Sequence, residues 1–200
     1  MKTPAQRVAL FGGAFDPFHN GHLATISRLL ESGVVDHVVV IPSGDRPDKP
    51  STSPALARLE MTRLGVQSRF AGDARIEVSD VQASGRSGYA TVDLLAHFKK
   101  ERPHDTLLVV IGPELVADLP KWKDPETLRR EGHLLVVRRP GSPNRSIPPG
   151  WQVTDLMMPY AEEVDISSSE LRGLLRRGER CNGMMPDEVQ AFCLEERLYR

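Results

Sequence analysis

Short apolar runs alternate along this chain with stretches whose apolar positions repeat at helical spacing. Residues 8–11 and the β-branched run 36–41 read as strands buried on both faces, and residues 106–111 form the most apolar strand. A fifth strand is predicted over 133–139 and a short sixth over 151–153, with 157–159 as a possible extension of the sheet. Residues 75–81 alternate instead, which predicts a strand half exposed or near a sheet edge. Between these lie predicted helices over 23–31, over 54–69 (Leu56, Leu59, Met61, Leu64 and Val66 at helical spacing) and over 92–100, burying Leu94, Leu95 and Phe98. Asp124 caps a further helix with Pro125 at its first position, and Ser167 with Glu170 has capping-box spacing ahead of a helix that Gly178 closes. Strands and helices in this rhythm predict an α/β chain with a doubly wound, mostly parallel sheet and helices on both faces.

Composition narrows the function. The 200 residues suit one domain with a substantial core, and a hydrophobic content of 40% with 26% charged residues is globular. A formal net charge of −1 argues against a chain built to coat nucleic acid or an anionic membrane. Residues 1–7 show no apolar signal region and no run is long enough to span a bilayer, so a cytoplasmic location is expected. Cys181 and Cys193 lack metal-site spacing and read as reduced and unpaired, with no zinc site visible.

The chemistry concentrates after the first strand. Gly12 and Gly13 lead through Phe15 and the turn-forming Asp16-Pro17 into His19-Asn20-Gly21-His22, where a helix begins. A strand, a glycine turn and a helix start leave backbone N–H groups pointing outward, which is an anion site. A glycine turn alone binds nothing, and a lone histidine near a helix start is usually a cap. Two imidazoles three residues apart around Gly21 are harder to assign to structure, and they favour a triphosphate. The stretch is neither a Walker A loop nor the dinucleotide fingerprint.

Ser167, Ser168 and Ser169 open a helix with Arg172 in about its first turn. A capping box alone explains the hydroxyls, but a cation near a positive helix end is disfavoured unless an anion sits there. Other candidates lie in loops. Arg46 and Lys49 lie in a proline-rich stretch after the second strand, either as plain surface or reaching phosphate. Tyr89 and Thr91 precede the middle helix, as site residues or as a loop anchor and an N-cap. Gly112 ends the most apolar strand. Trp122 lies between two lysines, as a partly buried anchor or as a platform for a heterocyclic base with lysines for phosphate.

The segment 10–23 resembles the His-x-Gly-His nucleotidylyltransferase signature, and residues 12–17 resemble its bacterial nicotinate-nucleotide adenylyltransferase branch. Residues 166–172, Ile-Ser-Ser-Ser-Glu-Leu-Arg, are similar to the Ile-Ser-Ser-Thr-x-Ile-Arg motif of the same enzymes. The Lys49 loop, residues 111–114, 119–122 and 139–141, and a final helix from about 186 are also similar, so the resemblance covers nearly the whole chain. Departures touch the mononucleotide side: Asp48 before the loop lysine, Gly88-Tyr89-Ala90-Thr91 for Ser-Tyr-Thr, and Glu114 for aspartate.

The resemblance implies one Rossmann-like nucleotidylyltransferase domain over 1–200, in which the helical part from about 166 completes an ATP site. It implies adenylyl transfer from ATP to nicotinate mononucleotide, giving deamido-NAD and pyrophosphate. His19 and His22 would act on the ATP phosphates. Gly12, Gly13, Phe15 and Gly21 would shape the pocket, and Ser167, Ser168, Ser169 and Arg172 would hold the β and γ phosphates. Arg46, Lys49, Tyr89, Thr91, Gly112 and Trp122 would serve the mononucleotide. Mg2+ would ride on ATP phosphates and water, with no protein metal ligand. Nicotinamide mononucleotide as the acceptor, or a non-catalytic nucleotide-binding module, are the alternatives; neither a nucleic acid nor a membrane partner is expected.

Overall fold

The apolar runs pair side by side. In the computed structural model, which describes residues 5–45, 51–86, 88, 90–139, 142, 146–158 and 166–200, they form a six-stranded sheet. Its strands are β1 (Arg7–Gly13), β2 (His37–Pro42), β3 (Ile76–Val78), β4 (Thr106–Ile111), β5 (His133–Arg138) and β6 (Gln152–Met157). Their order is β3-β2-β1-β4-β5-β6 and every pairing is parallel. The helices are α1 (Asn20–Glu31), α2 (Ala55–Phe70), α3 (Thr91–Glu101), α4 (Pro125–Glu131), α5 (Ser168–Arg176) and α6 (Asp187–Glu195).

Alternation along each strand explains the two layers of core. Ala9, Val38, Val40, Leu108, Val110, Leu135 and Val137 face one side, where they meet α1, α2, α5 and α6. Val8, Leu10, Val39, Ile41, Leu107, Val109, Leu134 and Val136 face the other, against α3, α4 and Leu119. Because both faces are covered, the inner strands carry unbroken apolar runs, and the sheet was legible from them. The β3 edge carries the alternating segment, as expected, but pairs over only three residues.

β6 is longer than its expected core of 151–153 and takes in the apolar residues to Met157. Polar Gln152, Thr154 and Asp155 interrupt the run, which suits an edge strand and hides its length in the sequence. The stretch after Gly112 is a 3-10 helix over Pro113–Lys121, with Pro113 at its start and Val116 and Leu119 buried.

Two packing details fix the loop after β1. Phe18 is fully buried and lies against Gly65 of α2, where a Cβ would fall 2.2 Å from the Phe18 ring, so only glycine lets the loop approach. On the far side, the Asn20 N–H donates to the Met184 carbonyl at 3.0 Å and its amide donates to the Gly183 carbonyl at 2.8 Å. The turn ahead of α6 therefore grips the start of α1. At the end of α5, Gly178 adopts φ +72°, its N–H reaches the Leu175 carbonyl, and the Glu179 N–H reaches that of Leu174. That is a Schellman closure, as the sequence predicted.

Candidate active site

Strand order reverses between β1 and β4, and a crevice at the carboxyl ends of such strands is where open α/β sheets take ligands. The loop after β1 and Gly112 after β4 both open there. Gly12 is exposed, and nothing lies within 4 Å of where its Cβ would stand. Gly13 has no such room: a Cβ would meet the Phe15 ring at 2.7 Å. Phe15 holds a left-handed φ of 50° and is buried, its ring edge-on to Phe11 at 5.4 Å and to His22 at 4.8 Å. It shapes the site from behind, as part of the wall that carries the imidazoles.

His19 caps α1 and His22 lies in its first turn. Their rings stack with centroids 3.6 Å apart and an interplanar angle of 27°. The His19 backbone N–H donates to His22 Nδ1 at 3.1 Å. That bond occupies Nδ1 as an acceptor, so neutral His22 carries its proton on Nε2, ready to donate to an anion. His19 Nδ1 is buried and has no partner among the described residues.

Burial, together with the positive charge of Arg139, lowers the His19 pKa to about 3. The same two causes, with His19 itself, push half-buried His22 well below the usual imidazole value. Both rings are therefore neutral at neutral pH in the unliganded protein. A base whose folded pKa lies below its unfolded value contributes stability in full above the unfolded pKa and loses it as pH falls toward the folded one. Unfolding free energy should thus drop as pH falls from about 6.5, by about 1 kcal/mol over the first pH unit for His19. Urea titrations across that range would show it, with a shallower drop in a His19→Asn variant; equal slopes would contradict the assignment.

The second signature meets the first. Ser167 caps α5, its hydroxyl accepting from the Glu170 N–H at 3.2 Å. Ser168 donates to the Pro17 carbonyl at 3.1 Å. Arg172 donates through Nη1 to the Asp16 carbonyl at 2.7 Å and through Nη2 to Ser169 Oγ at 2.9 Å. A guanidinium has five donors, and among the described residues no other hydrogen bond engages the remaining N–H groups. The imidazole loop and Arg172, 150 or more positions apart in the chain, thus sit on one turn, 16–19.

Several residues of this site escaped the sequence reading. Asp16, in a cis peptide with Pro17, is buried and accepts from Ser53 Oγ at 2.5 Å, Tyr199 Oη at 2.6 Å, the Thr52 N–H at 2.8 Å and the Ser53 N–H at 3.4 Å. Arg58 is fully buried; its guanidinium donates to the carbonyls of Ser53 and Ser43 (2.7 Å to the latter) and to Asp45 at 3.2 Å. Arg139, just beyond β5, bears on both imidazoles, and no hydrogen bond or ion pair holds its guanidinium among the described residues. Only the Arg139-Pro140-Gly141 similarity pointed to it.

The mononucleotide candidates divide. Arg46, Lys49 and Tyr89 lie outside the described residues. Thr91 is the first residue of α3 and half-buried; Ala90, not Thr91, is the cap. Trp122 is half-buried and packs on the core layer beneath α3, as the anchor reading held. The flanking lysines are ion-paired, Lys121 to Asp118 and Lys123 to Asp93, both at 2.8 Å. In the unliganded protein the two lysines beside Trp122 are thus held in exposed ion pairs.

Stacked imidazoles at the start of α1 and the start of α5, which Ser168 and Arg172 tie to the same loop, thus lie at the switch point of a parallel sheet. The chain belongs to the cytidylyltransferase-like family, whose family model matches residues 10–174. Within it the chain falls among the nicotinate-nucleotide adenylyltransferases. It is 36% identical over 97% of its length to the whole of a Thermus thermophilus protein named "Probable nicotinate-nucleotide adenylyltransferase". It is 32% identical to one of the same name from Leifsonia xyli, covering 97% of this chain and 94% of that one. The fold matches that of Plasmodium falciparum nicotinic acid mononucleotide adenylyltransferase complexed with NaAD, with a TM-score of 0.79 at 20% identity over 97% of each chain.

Proposed function

We propose that this chain transfers the adenylyl group of ATP to nicotinate mononucleotide, releasing pyrophosphate and forming deamido-NAD. The observation that carries the reading is the meeting of Arg172 and the His19–His22 pair on the turn 16–19. The mononucleotide phosphate attacks the α-phosphorus, and the bond from that phosphorus to the bridging oxygen of pyrophosphate breaks. The nucleophile is already anionic at neutral pH, so no general base or covalent intermediate is required. Catalysis then rests on alignment and on neutralising charge as it develops.

His22 Nε2 donates to the phosphates, with His19 beside it, in a pocket that Gly12, Gly13, Phe15 and Gly21 shape. Arg172 and the α5 start at Ser167, Ser168 and Ser169 hold the β and γ phosphates; Ser169 also orients the guanidinium. Arg139, whose charge already bears on both imidazoles, adds positive charge. Residues from about 166 thereby complete the ATP site within one domain. Gly112, Thr91 and Trp122 serve the mononucleotide together with Arg46, Lys49 and Tyr89.

Among the described residues no three His, Cys, Asp or Glu side chains gather to hold a metal ion, and Asp16 is already committed to four donors. The site's donor set suits phosphate oxygens, so Mg2+ fits here as an ion carried on ATP and water, where it supplies further neutralisation of phosphate charge. No described helix is long and apolar enough to cross a membrane. The partners in this reading are ATP and the mononucleotide, in a cytoplasmic enzyme. Pyrophosphate release tests the reading. It should require ATP and nicotinate mononucleotide together, with a higher kcat/KM for the acid than for nicotinamide mononucleotide. Absence of release with either acceptor would refute it, and preference for the amide would correct the substrate.

A further inference from the structure

Tyr199 lies in the turn after α6, far along the chain from the imidazole loop, and it is buried. Its backbone has a left-handed φ of 69°, unfavourable for a side chain with a Cβ, so local geometry alone does not place it there. Its hydroxyl donates to Asp16 Oδ1 at 2.6 Å, across 183 positions of sequence. The same carboxylate is closed by Ser53 Oγ and by the N–H groups of Thr52 and Ser53. The carbonyl of that very residue receives Arg172 Nη1.

A buried carboxylate that loses one of its donors keeps the desolvation cost and must reorganise. Here the reorganising group belongs to the residue whose carbonyl anchors the guanidinium. We infer that Tyr199 is a positioning residue: through Asp16 it sets the turn that aims Arg172 at the triphosphate, touching no substrate itself. The inference rests on the reading of this site as an ATP site.

Tyr199→Phe removes only the hydroxyl. ATP affinity, read by calorimetry, is expected to weaken about tenfold, the scale of one hydrogen bond to a charged group. KM for ATP should rise correspondingly, while KM for nicotinate mononucleotide stays where it was. A thermal transition measured alongside separates this from loss of fold, and Ser53→Ala, which strips another donor from Asp16, should act in the same direction.

The decisive comparison is the same substitution in an Arg172→Ala background. If Tyr199 works through Arg172, its effect on ATP vanishes there. If it merely supports the fold, the weakening is the same in both backgrounds, and the inference is overturned. Unchanged ATP affinity in both Tyr199→Phe and Ser53→Ala overturns it too. A parent protein that binds no ATP overturns the functional reading, and this inference with it.

Discussion

His22→Ala is expected to lower kcat by about 10²–10³, the usual effect of removing one preorganised donor from a transition state. The ring is fixed on every side. His19 stacks on it, Phe15 meets it edge-on, Phe18 lies 5.1 Å away, and the His19 N–H fixes its Nδ1. On the proposed function its Nε2–H would reach the reacting phosphates with no reorganisation at the moment of transfer, so its loss should fall on kcat. His22→Gln places an amide donor near the Nε2 position and should retain more activity than alanine. Steady-state assays on both variants, with folding checked by circular dichroism, would show it; near-normal turnover of a folded His22→Ala protein would defeat the assignment.

Arg172→Ala comes next in size. A charge-assisted bond to phosphate is worth more than a neutral one, and a loss of about 10- to 100-fold in kcat/KM for ATP is expected. The guanidinium is anchored by two of its donors, to the Asp16 carbonyl and Ser169 Oγ, and on the proposed function would meet the ligand with the rest. Arg172→Lys keeps the charge but cannot hold the anchor and the phosphate at once, so it should recover only part of the loss. KM for nicotinate mononucleotide should move little in either variant. A change confined to the mononucleotide would put Arg172 on the wrong substrate.

The sheet could be read from sequence because four of its strands, β1, β2, β4 and β5, hold unbroken runs of buried residues. Val38 to Ile41 and Leu107 to Ile111 are runs of residues with no exposed member. β6 was underestimated where polar side chains break the pattern on an edge. The 3-10 helix over Pro113–Lys121 was missed because proline at 113 and 120 reads as interruption, whereas a short tight helix tolerates both.

At the site, His19, His22 and Arg172 were legible because each lies in a short local motif whose chemistry is visible in consecutive residues. Asp16, Arg58 and Tyr199 were not, because their roles arise from bonds that only the folded chain makes. Nothing near Tyr199 announces that its hydroxyl meets Asp16, and a buried arginine such as Arg58 looks like any surface arginine on a helix. The partners of Lys121 and Lys123 were equally hidden: their charge suggested phosphate, and the fold sets Asp118 and Asp93 beside them.

The central claim is that imidazole and guanidinium groups hold one triphosphate between them. A crystal structure with a non-hydrolysable ATP analogue tests it most directly. Phosphate oxygens of a single analogue molecule should lie within hydrogen-bond distance of both His22 Nε2 and the Arg172 guanidinium, at the carboxyl ends of β1 and β4. A triphosphate that touches only one of them, or that binds elsewhere on the protein, would contradict it.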